Sequence, residues 1–506
     1  MTALTLTQAR LPGRTGAVDV EIRDGVVKRI VPAGESGGAG ARGGAGKAGA
    51  GGAKTGVDQV IELGGRWLLP GFWDEHVHFA LWAAHSRRLD LSAANSAAQA
   101  ADLLRAGLGG GSSDEPLVAV GFRDASWVDA PHRDLLDALP TDRQIFAISA
   151  DLHAVWLNGA ALRRIGHPDH PTGVLREAEC FAVETALAEE SAAQGASWIA
   201  AAARQAAAKG TIGIVDLTMD WTRDDWLAQR AGGLDVLRVE CGVYPAQLDQ
   251  AIAAGGRTGE AIAGDELLRV GPFKVVADGS LNTRTAWCFD PYPGMEGPGR
   301  FGVESVGFDE LVHLMRRAAA AGLTPAIHAI GDRCAAVVLD AFAAVGCGGR
   351  VEHAQLMRWA DMDRMAELGL VASIQPVHAL DDRAVADRMW PGRTERSFPM
   401  AALAQRGIRL ALGSDAPVAP LDPWATVAAA VARCRDGEEP WHGEQAISAG
   451  QAIAASARGH GSVTVGMVAD LQAVERDPFA ADAESLRTMP VAATFLAGRP
   501  VGAGLG

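Results

Sequence analysis

The sequence lacks the features by which membrane, secreted and nucleic-acid-binding proteins are usually recognised. It has no apolar run that approaches membrane-spanning length, and its first residues contain no apolar segment typical of a secretion signal. It has no block rich in lysine and arginine, and its net charge of -15 disfavours nucleic acid and anionic membranes as partners. Its six cysteines are scattered and form no Cys-x-x-Cys pair, which is typical of reduced thiols. We therefore expect a cytoplasmic protein that binds a small molecule, and we leave open whether it forms a homodimer.

Both ends of the chain show sequence patterns typical of β-strands. Apolar and polar residues alternate on both sides of Asp24-Gly25, which predicts a β-hairpin, and short strands and turns return after residue 465. We predict that residues 1–70 and 465–506 form one small β-sandwich. Residues 37–56 are almost entirely glycine and alanine, and we predict a disordered loop there because such a segment buries too little surface.

Between these ends the chain repeatedly pairs a helical stretch with a short apolar strand. The segment "FDELVHLMRRAAAAG" leads into "LTPAIHAIGD", and "MAALAQRG" leads into "IRLALGSDAP". Glycine closes most of these helices, and Ser448 with Gln451 suits a capping box at the start of a late helix. The alternation predicts an α/β protein in which residues 71–464 form a (β/α)8 TIM-like barrel, since 506 residues are enough for a barrel and a smaller domain.

Polar residues recur at one position of this pattern, at or just after the apolar part of a strand. They are His76 and His78 in "PGFWDEHVHF", Lys274 in "GPFKVVADGS", His328, His353 and Asp415. In a (β/α)8 barrel these positions converge at the carboxyl ends of the strands, where active sites are built. Imidazole and carboxylate groups are common ligands of divalent cations, so the pattern predicts a metal site.

Each of these residues also has an ordinary structural explanation. A single histidine at a strand end is often a satisfied polar residue, and Asp415 in "GSDAP" could belong to a turn or cap a helix. Lys274 could pair with Asp278, although a lysine within an apolar strand is costly unless its charge is used or removed. The ordered occurrence of all six residues along one alternating chain favours the metal site.

The sequence resembles the metal-dependent amidohydrolase superfamily, and within it the branch that includes N-substituted formamide deformylases. The motifs that carry the resemblance occur in the expected order over nearly the whole chain: "PGFWDEHVHF", "GPFKVVADGSLNTRTA", "AIHAIGDR", "VEHAQ", "SIQPVH" and "ALGSDAPVAPLDPW". The resemblance implies a barrel flanked by a β-sandwich made from both termini. The long segment after His78 implies an inserted subdomain at about residues 85–200, and Glu75 departs from the commoner small residue.

The resemblance also implies a ligand set. His76 and His78 would come from the first barrel strand, His328 from the fifth, His353 from the sixth and Asp415 from the eighth. Lys274 matches the fourth-strand lysine that is carbamylated in binuclear members, where it bridges two cations. We therefore expect one or two divalent metal ions per chain, with zinc as the expected metal.

The implied reaction is hydrolysis of a linear amide-type C–N bond, in an N-substituted formamide or an N-acyl compound. A metal-bound hydroxide would attack the carbonyl, with Asp415 as general base and then general acid. Lys274 and His378 complete the implied catalytic set. The implied substrate contacts are Arg284, His378, His153, Glu177 and Asp278.

Two alternatives remain open at the level of the sequence. A single-metal deaminase or cyclic amidase would use the same fold, although its relatives generally lack the strand lysine. A catalytically silent relative could act as a regulatory or ligand-binding protein, although every expected ligand is present.

Overall fold

The structure is a computed structural model that describes residues 3–36, 59–108, 115–190, 192–435 and 437–502. The predicted disordered loop at residues 37–56 lies outside the described residues. Within the described part of the chain, no helix is long and apolar enough to cross a membrane.

The described elements are numbered here in chain order. The strands are β1 Ala3–Ala9, β2 Val18–Arg23, β3 Val26–Pro32, β4 Gln59–Glu62, β5 Trp67–Pro70, β6 Phe72–Val77, β7 Leu89–Asp90, β8 Leu117–Phe122, β9 Ile145–Ser149, β10 Ala154–Leu157, β11 Val174–Arg176, β12 Thr211–Asp216, β13 Arg238–Val243, β14 Ala261–Ile262, β15 Asp265–Val276, β16 Pro325–Ala329, β17 Arg350–His353, β18 Val371–Ile374, β19 Arg409–Leu412, β20 Leu471–Val474, β21 Val491–Leu496 and β22 Arg499–Pro500. The α-helices are α1 Phe79–His85, α2 Ala97–Gly107, α3 Arg133–Asp137, α4 Gly159–Arg164, α5 Ala178–Glu190, α6 Ala192–Ala208, α7 Thr222–Ala231, α8 Leu248–Ala254, α9 Phe308–Ala320, α10 Asp332–Val345, α11 Trp359–Glu367, α12 Pro376–Asp381, α13 Arg383–Met389, α14 Met400–Gln405, α15 Pro423–Ala432, α16 Ala449–Ser456 and α17 Ala483–Arg487.

Eight parallel strands form the centre of the molecule. They lie side by side in the order β6, β12, β13, β15, β16, β17, β18 and β19, which is also their order along the chain. The segment after the last strand pairs with the end of the first strand. The backbone N–H of Asp415 donates to the carbonyl of His76 at 2.7 Å, and that of His78 donates to the carbonyl of Ala416 at 2.8 Å. This confirms the predicted (β/α)8 barrel, and helices between the strands cover its outer face.

The helix boundaries follow the signals in the sequence. Helix α10 is followed directly by Gly346, whose φ of 69° is the left-handed conformation that glycine adopts without steric cost. Helix α16 begins with the predicted capping box, in which the Ser448 side chain accepts from the backbone N–H of Gln451. These signals set the boundaries of helices that connect or follow the barrel strands.

Two four-stranded sheets pack against each other beside the barrel. One contains β1–β4, and the other joins β5 to the C-terminal strands β20–β22. Their facing side chains form one hydrophobic cluster that includes Leu6, Val20, Leu68, Leu471 and Phe495. The predicted hairpin connects β2 to β3, with positive φ at both turn residues.

A further sheet is inserted between α1 and α6, after the first barrel strand. Its order is β11, β10, β9, β8 and β7, and it has hydrophobic clusters of its own. Leu81 of α1 and Val418 pack against one of these clusters, and Arg123 forms a 3.0 Å ion pair with Asp381 of α12. The inserted sheet therefore contacts the segments that follow the first, seventh and eighth barrel strands, at the carboxyl end of the barrel.

Candidate metal centre

The six predicted ligands lie along the inside of the barrel, towards its carboxyl end. His76 lies in β6 and His78 follows it directly, Lys274 lies in β15, His328 in β16, His353 ends β17, and Asp415 follows β19. Because neighbouring parallel strands end at the same edge, residues distant in the sequence meet here.

Three of these residues form a compact donor group. One ligand atom from each of His76, His353 and Asp415 lies within 4.8 Å of the others, and all three residues are buried. Among the described residues, this is the one group of at least three histidine, cysteine, aspartate or glutamate side chains with such spacing. This spacing makes the group a candidate site for a divalent cation.

The other predicted histidines surround this group. The Nε2 atoms of His78 and His76 lie 3.3 Å and 3.5 Å from Oδ1 of Asp415. The ring centroid of His353 lies 4.9 Å from that of His76 and 4.5 Å from that of His328. The structure therefore brings together imidazoles from the first, fifth and sixth barrel strands and the carboxylate after the eighth.

Electrostatics keep these donors in the form that binds cations. Burial, with a contribution from Lys274, lowers the pKa of His76 to about 4. Burial and the neighbouring rings of His328 and His76 hold the pKa of His353 well below its usual value. Burial alone would raise the pKa of Asp415, but the adjacent imidazoles hold it well below its usual range. Neutral imidazoles and an ionised carboxylate are the ligand states that metal binding requires.

Several buried polar atoms in this region have no hydrogen-bond partner in the described structure. They are Nζ of Lys274, Nδ1 of His78, Nδ1 of His353 and Nε2 of His378. Buried polar groups are nearly always paired, so a cluster of unpaired ones indicates a missing partner. Burial also lowers the pKa of Lys274 to about 8. The donor set and its unpaired atoms fit a bound metal ion.

His378 lies beside the donor group, on the first turn of α12. Its ring stacks on that of His353 with 6.4 Å between centroids and an interplanar angle of 15°. Its Nε2 lies 4.0 Å from Oδ2 of Asp415. The side chain therefore faces the same space as the predicted ligands.

Asp278, a predicted substrate contact, lies beside the predicted ligand His328. It is fully buried in the loop after β15, and its carboxylate accepts from the backbone N–H groups of Trp287, Ile330 and Gly331. Its Oδ1 also lies 3.3 Å from Nε2 of His328. In this structure Asp278 connects the loops after the fourth and fifth strands and contacts a predicted ligand.

The remaining predicted substrate residues lie further out. Arg284 is exposed in the loop after β15 and has a φ of 60°, which is unusual for a residue other than glycine. His153 and Glu177 lie in the inserted sheet region, where Nδ1 of His153 is 2.9 Å from Oε2 of Glu177. Among the described residues, no hydrogen bond, ion pair or ring contact joins this pair to the histidine cluster.

The sequence analysis missed two acids that contact His76. Oε2 of Glu352 lies 2.6 Å from Nδ1 of His76, and the carboxylate of Asp74 accepts from the His76 backbone N–H. Burial alone would raise the pKa of Glu352, but Arg350 and His76 hold it well below its usual value. Burial raises the pKa of Asp74 to about 7. The signal that identified Lys274, a charge within an apolar strand, is also present at Glu352 in "RVEH".

Two known proteins are similar to this chain over most of its length. The N-substituted formamide deformylase of Arthrobacter pascens is 26% identical over 528 residues, which cover 88% of this chain and 90% of that protein. Protein LONG AFTER FAR-RED 3 of Arabidopsis thaliana is 25% identical over 415 residues, which cover 74% of this chain and 70% of that protein.

A solved structure shows the same fold. It is that of an uncharacterized metal-dependent hydrolase from Pyrococcus horikoshii OT3, with a TM-score of 0.74 and 23% sequence identity. The superposition covers 95% of this chain and 99% of the other. At this identity the similarity concerns the fold alone.

The model of the amidohydrolase family matches residues 59–502, which include every predicted ligand and all eight barrel strands. Members of this superfamily typically use a divalent metal, and the described histidine and aspartate cluster supplies a candidate site for one. The chain therefore belongs to the amidohydrolase family.

Proposed function

We propose that the protein is a metal-dependent hydrolase that cleaves a linear amide-type C–N bond, in an N-substituted formamide or an N-acyl compound. The observation that carries this proposal is the buried donor group of His76, His353 and Asp415 at the carboxyl end of the barrel. The similarity to an N-substituted formamide deformylase supports the choice of bond.

The metal would be held by His76, His78, His328, His353 and Asp415, with zinc as the metal that best suits imidazole and carboxylate ligands. A divalent cation bound there would lower the pKa of a water molecule and polarise the substrate carbonyl. Lys274 would contribute as its carbamate, which replaces a buried ammonium by an anionic ligand. Its Nζ is buried without a hydrogen-bond partner among the described residues, which supports that modification.

The protein side chains then move the protons of the reaction. The Asp415 carboxylate accepts a proton from the attacking water as the new C–O bond forms at the carbonyl carbon. It then donates that proton to the leaving nitrogen as the C–N bond breaks, so that the products are a carboxylic acid and an amine. His378 can donate a hydrogen bond to the substrate oxygen, because its Nε2 has no other partner in the described structure.

Substrate orientation would come from residues further from the donor group. Arg284 extends into solvent from the loop after β15, and we propose that it orients the substrate. His153 and Glu177 would contribute from the inserted sheet, which contacts the segments after three barrel strands.

The first test is the metal content of the purified protein after growth with zinc and bicarbonate. We expect about two metal ions per chain in the wild type, as in a two-metal site, and fewer in Lys274→Ala. Lys28→Ala is the matched control, because Lys28 is exposed on β3 of the sandwich and should leave the content unchanged. A ¹³C-carbonate label should give a carbamate NMR signal that Lys274→Ala abolishes.

The second part of the test is a substrate panel of N-substituted formamides, N-acyl amines, cyclic amides and amino-substituted heterocycles. Release of an amine from the linear compounds would support the proposal. About one metal ion in both proteins, with ammonia released from heterocycles, would instead favour the single-metal deaminase. Absence of bound metal after reconstitution would contradict a hydrolase and favour a catalytically silent relative.

A further inference from the structure

A chain of alternating charges lies beneath the candidate metal centre, and we call it the charge ladder; Glu352 and Glu75 are buried and the other members are half-buried. Its members are Glu352, Arg350, Glu75, Arg458 and Glu240. Arg350 pairs with Glu352 and, at 3.0 Å, with Glu75. Arg458 lies 2.7 Å from Glu75 and 2.6 Å from Glu240. The charge ladder thus joins the donor group to the opposite end of the barrel.

The lower end of the charge ladder borders a cavity of about 250 Å³. Its lining includes Arg350, Val371 and Arg409, which are the first residues of β17, β18 and β19. The cavity therefore lies at the amino end of the barrel, whereas the donor group lies towards the carboxyl end. Residues at the amino end of such barrels usually serve stability alone.

Glu352, at the upper end of the charge ladder, determines which ring nitrogen of His76 carries the proton. An ionised carboxylate only accepts hydrogen bonds, so Glu352 at 2.6 Å requires the proton of His76 to be on Nδ1. The lone pair is then on Nε2, the nitrogen that lies 3.5 Å from Oδ1 of Asp415. Glu352 therefore favours the tautomer of His76 that presents a free lone pair to the donor group.

Arg350 holds both this carboxylate and the strand that carries the ligand. Its guanidinium donates to Glu352, to the Glu75 side chain and to the backbone carbonyl of Glu75, the residue directly before His76. It also donates to Oγ of Ser373 in β18. The Arg350 side chain thus contacts both the carboxylate partner of the His76 ring and the backbone next to His76.

We propose that Glu352 is a positioning residue that fixes the tautomer and orientation of His76 for metal binding. Arg350 in turn holds the Glu352 carboxylate in place through its hydrogen bond. Glu75, the residue that departs from the commoner small residue, acts in this arrangement as the counter-charge that Arg350 and Arg458 share. The inference rests on the proposed metal centre and assigns a further role within it.

The test compares Glu352→Gln with Glu367→Gln, an identical change at an exposed position at the end of α11. A glutamine amide can either accept from Nδ1–H or donate to Nδ1, so it no longer selects one tautomer. We expect the zinc dissociation constant, measured by chelator competition, to rise about 10- to 100-fold in Glu352→Gln. The visible spectrum of the cobalt-substituted protein should also change, and Glu367→Gln should behave as wild type in both measurements.

Arg350→Lys provides a second variant, because it retains the positive charge but loses the planar fork. We expect it to weaken zinc binding in the same direction as Glu352→Gln. Zinc affinity within twofold of wild type and an unchanged cobalt spectrum in Glu352→Gln would overturn the proposal, whatever the change in thermal stability. If Glu352→Gln does not fold, unchanged zinc affinity in Arg350→Lys would overturn it instead. Failure of the wild type to bind zinc would contradict the proposed function, which is a different outcome.

Discussion

Asp415 combines an unusual backbone conformation with a carboxylate that faces several imidazole rings. Its φ of 57° is left-handed, a conformation that costs a residue other than glycine about 1–3 kcal/mol. The backbone N–H of Asp415 donates to the carbonyl of His76, which holds the residue in this conformation. The strained backbone directs the carboxylate towards His76 and His78.

Substitution of Asp415 tests its proposed role in proton transfer. Asparagine tolerates the left-handed conformation and keeps a ligand oxygen, so Asp415→Asn should retain its zinc content within about twofold. Because the amide cannot accept the proton of water, kcat on the linear amide that the panel identifies should fall about 10²- to 10⁴-fold. Asp102→Asn, an exposed change on α2, is the control. An unchanged kcat in Asp415→Asn would exclude general base catalysis by this residue.

Single residues differ in how well the sequence predicts their surroundings. The six predicted ligands follow apolar strands, and the structure places them along the inside of one barrel. Glu352 was not predicted because its partner, His76, lies on a different strand, and only the folded barrel shows which rings and carboxylates meet. Asp278 shows the same limit, since its three backbone partners come from loops that the sequence does not bring together.

At the scale of elements, Asp19 of β2 connects three parts of the N-terminal sheet. Its carboxylate accepts from the backbone N–H of Gln8 in β1, from that of Gly34 and from Oγ of Ser36. Burial alone would raise the pKa of Asp19, but these hydrogen bonds hold it below its usual value. The ionised side chain therefore stabilises the strand ends that it contacts.

The pH dependence of this stabilisation follows from the direction of the shift. The stability contributed by ionised Asp19 is fully present above the unfolded-state pKa of about 3.9 and is lost as the pH falls through the lower folded-state pKa. Asp19→Asn should lower the free energy of unfolding by about 1–2 kcal/mol between pH 5 and 8. Below about pH 4 the difference from wild type should shrink.

Urea unfolding at several pH values measures this difference. Glu62→Gln, an exposed change on β4 of the same sheet, should have no effect at any of them. A difference between Asp19→Asn and wild type that grows as the pH falls would contradict the assignment.

The elements of the barrel and of the inserted sheet were unequally predictable. Barrel strands such as β16 and β19 stand out as apolar runs between helices, with a polar residue at or beyond their ends. In the inserted sheet, β9 and β10 are buried throughout, so they show no alternation of apolar and polar residues. The sequence therefore indicated an insertion but not the order of its strands.

At the scale of the whole molecule, Gln472 joins the sandwich to the barrel. It is fully buried in β20, accepts from the indole N–H of Trp424 in α15 at 3.1 Å, and donates to the carbonyl of Pro70 at 3.1 Å. The Trp424 ring also lies 5.0 Å from that of Phe72, at the start of the first barrel strand. One amide thus satisfies polar groups from both parts of the structure.

Loss of this amide should weaken the whole fold. Gln472→Leu leaves the Trp424 N–H and the Pro70 carbonyl without their partner, which should cost about 1–3 kcal/mol. We expect a lower midpoint of urea unfolding, monitored by tryptophan fluorescence and by circular dichroism. Gln250→Leu on the exposed face of α8 is the matched control. A midpoint of Gln472→Leu equal to that of wild type would show that the interface does not depend on these hydrogen bonds.

The contact between the first and last barrel strands determines when the barrel can close during synthesis of the chain. The backbone of His76 accepts a hydrogen bond from that of Asp415, so the first predicted ligand meets the last one only after the eighth strand has been synthesised. A nascent chain that ends before β19 contains the four predicted histidine ligands but neither Asp415 nor the closing strand. We therefore expect the proposed metal centre to form only after the barrel has closed.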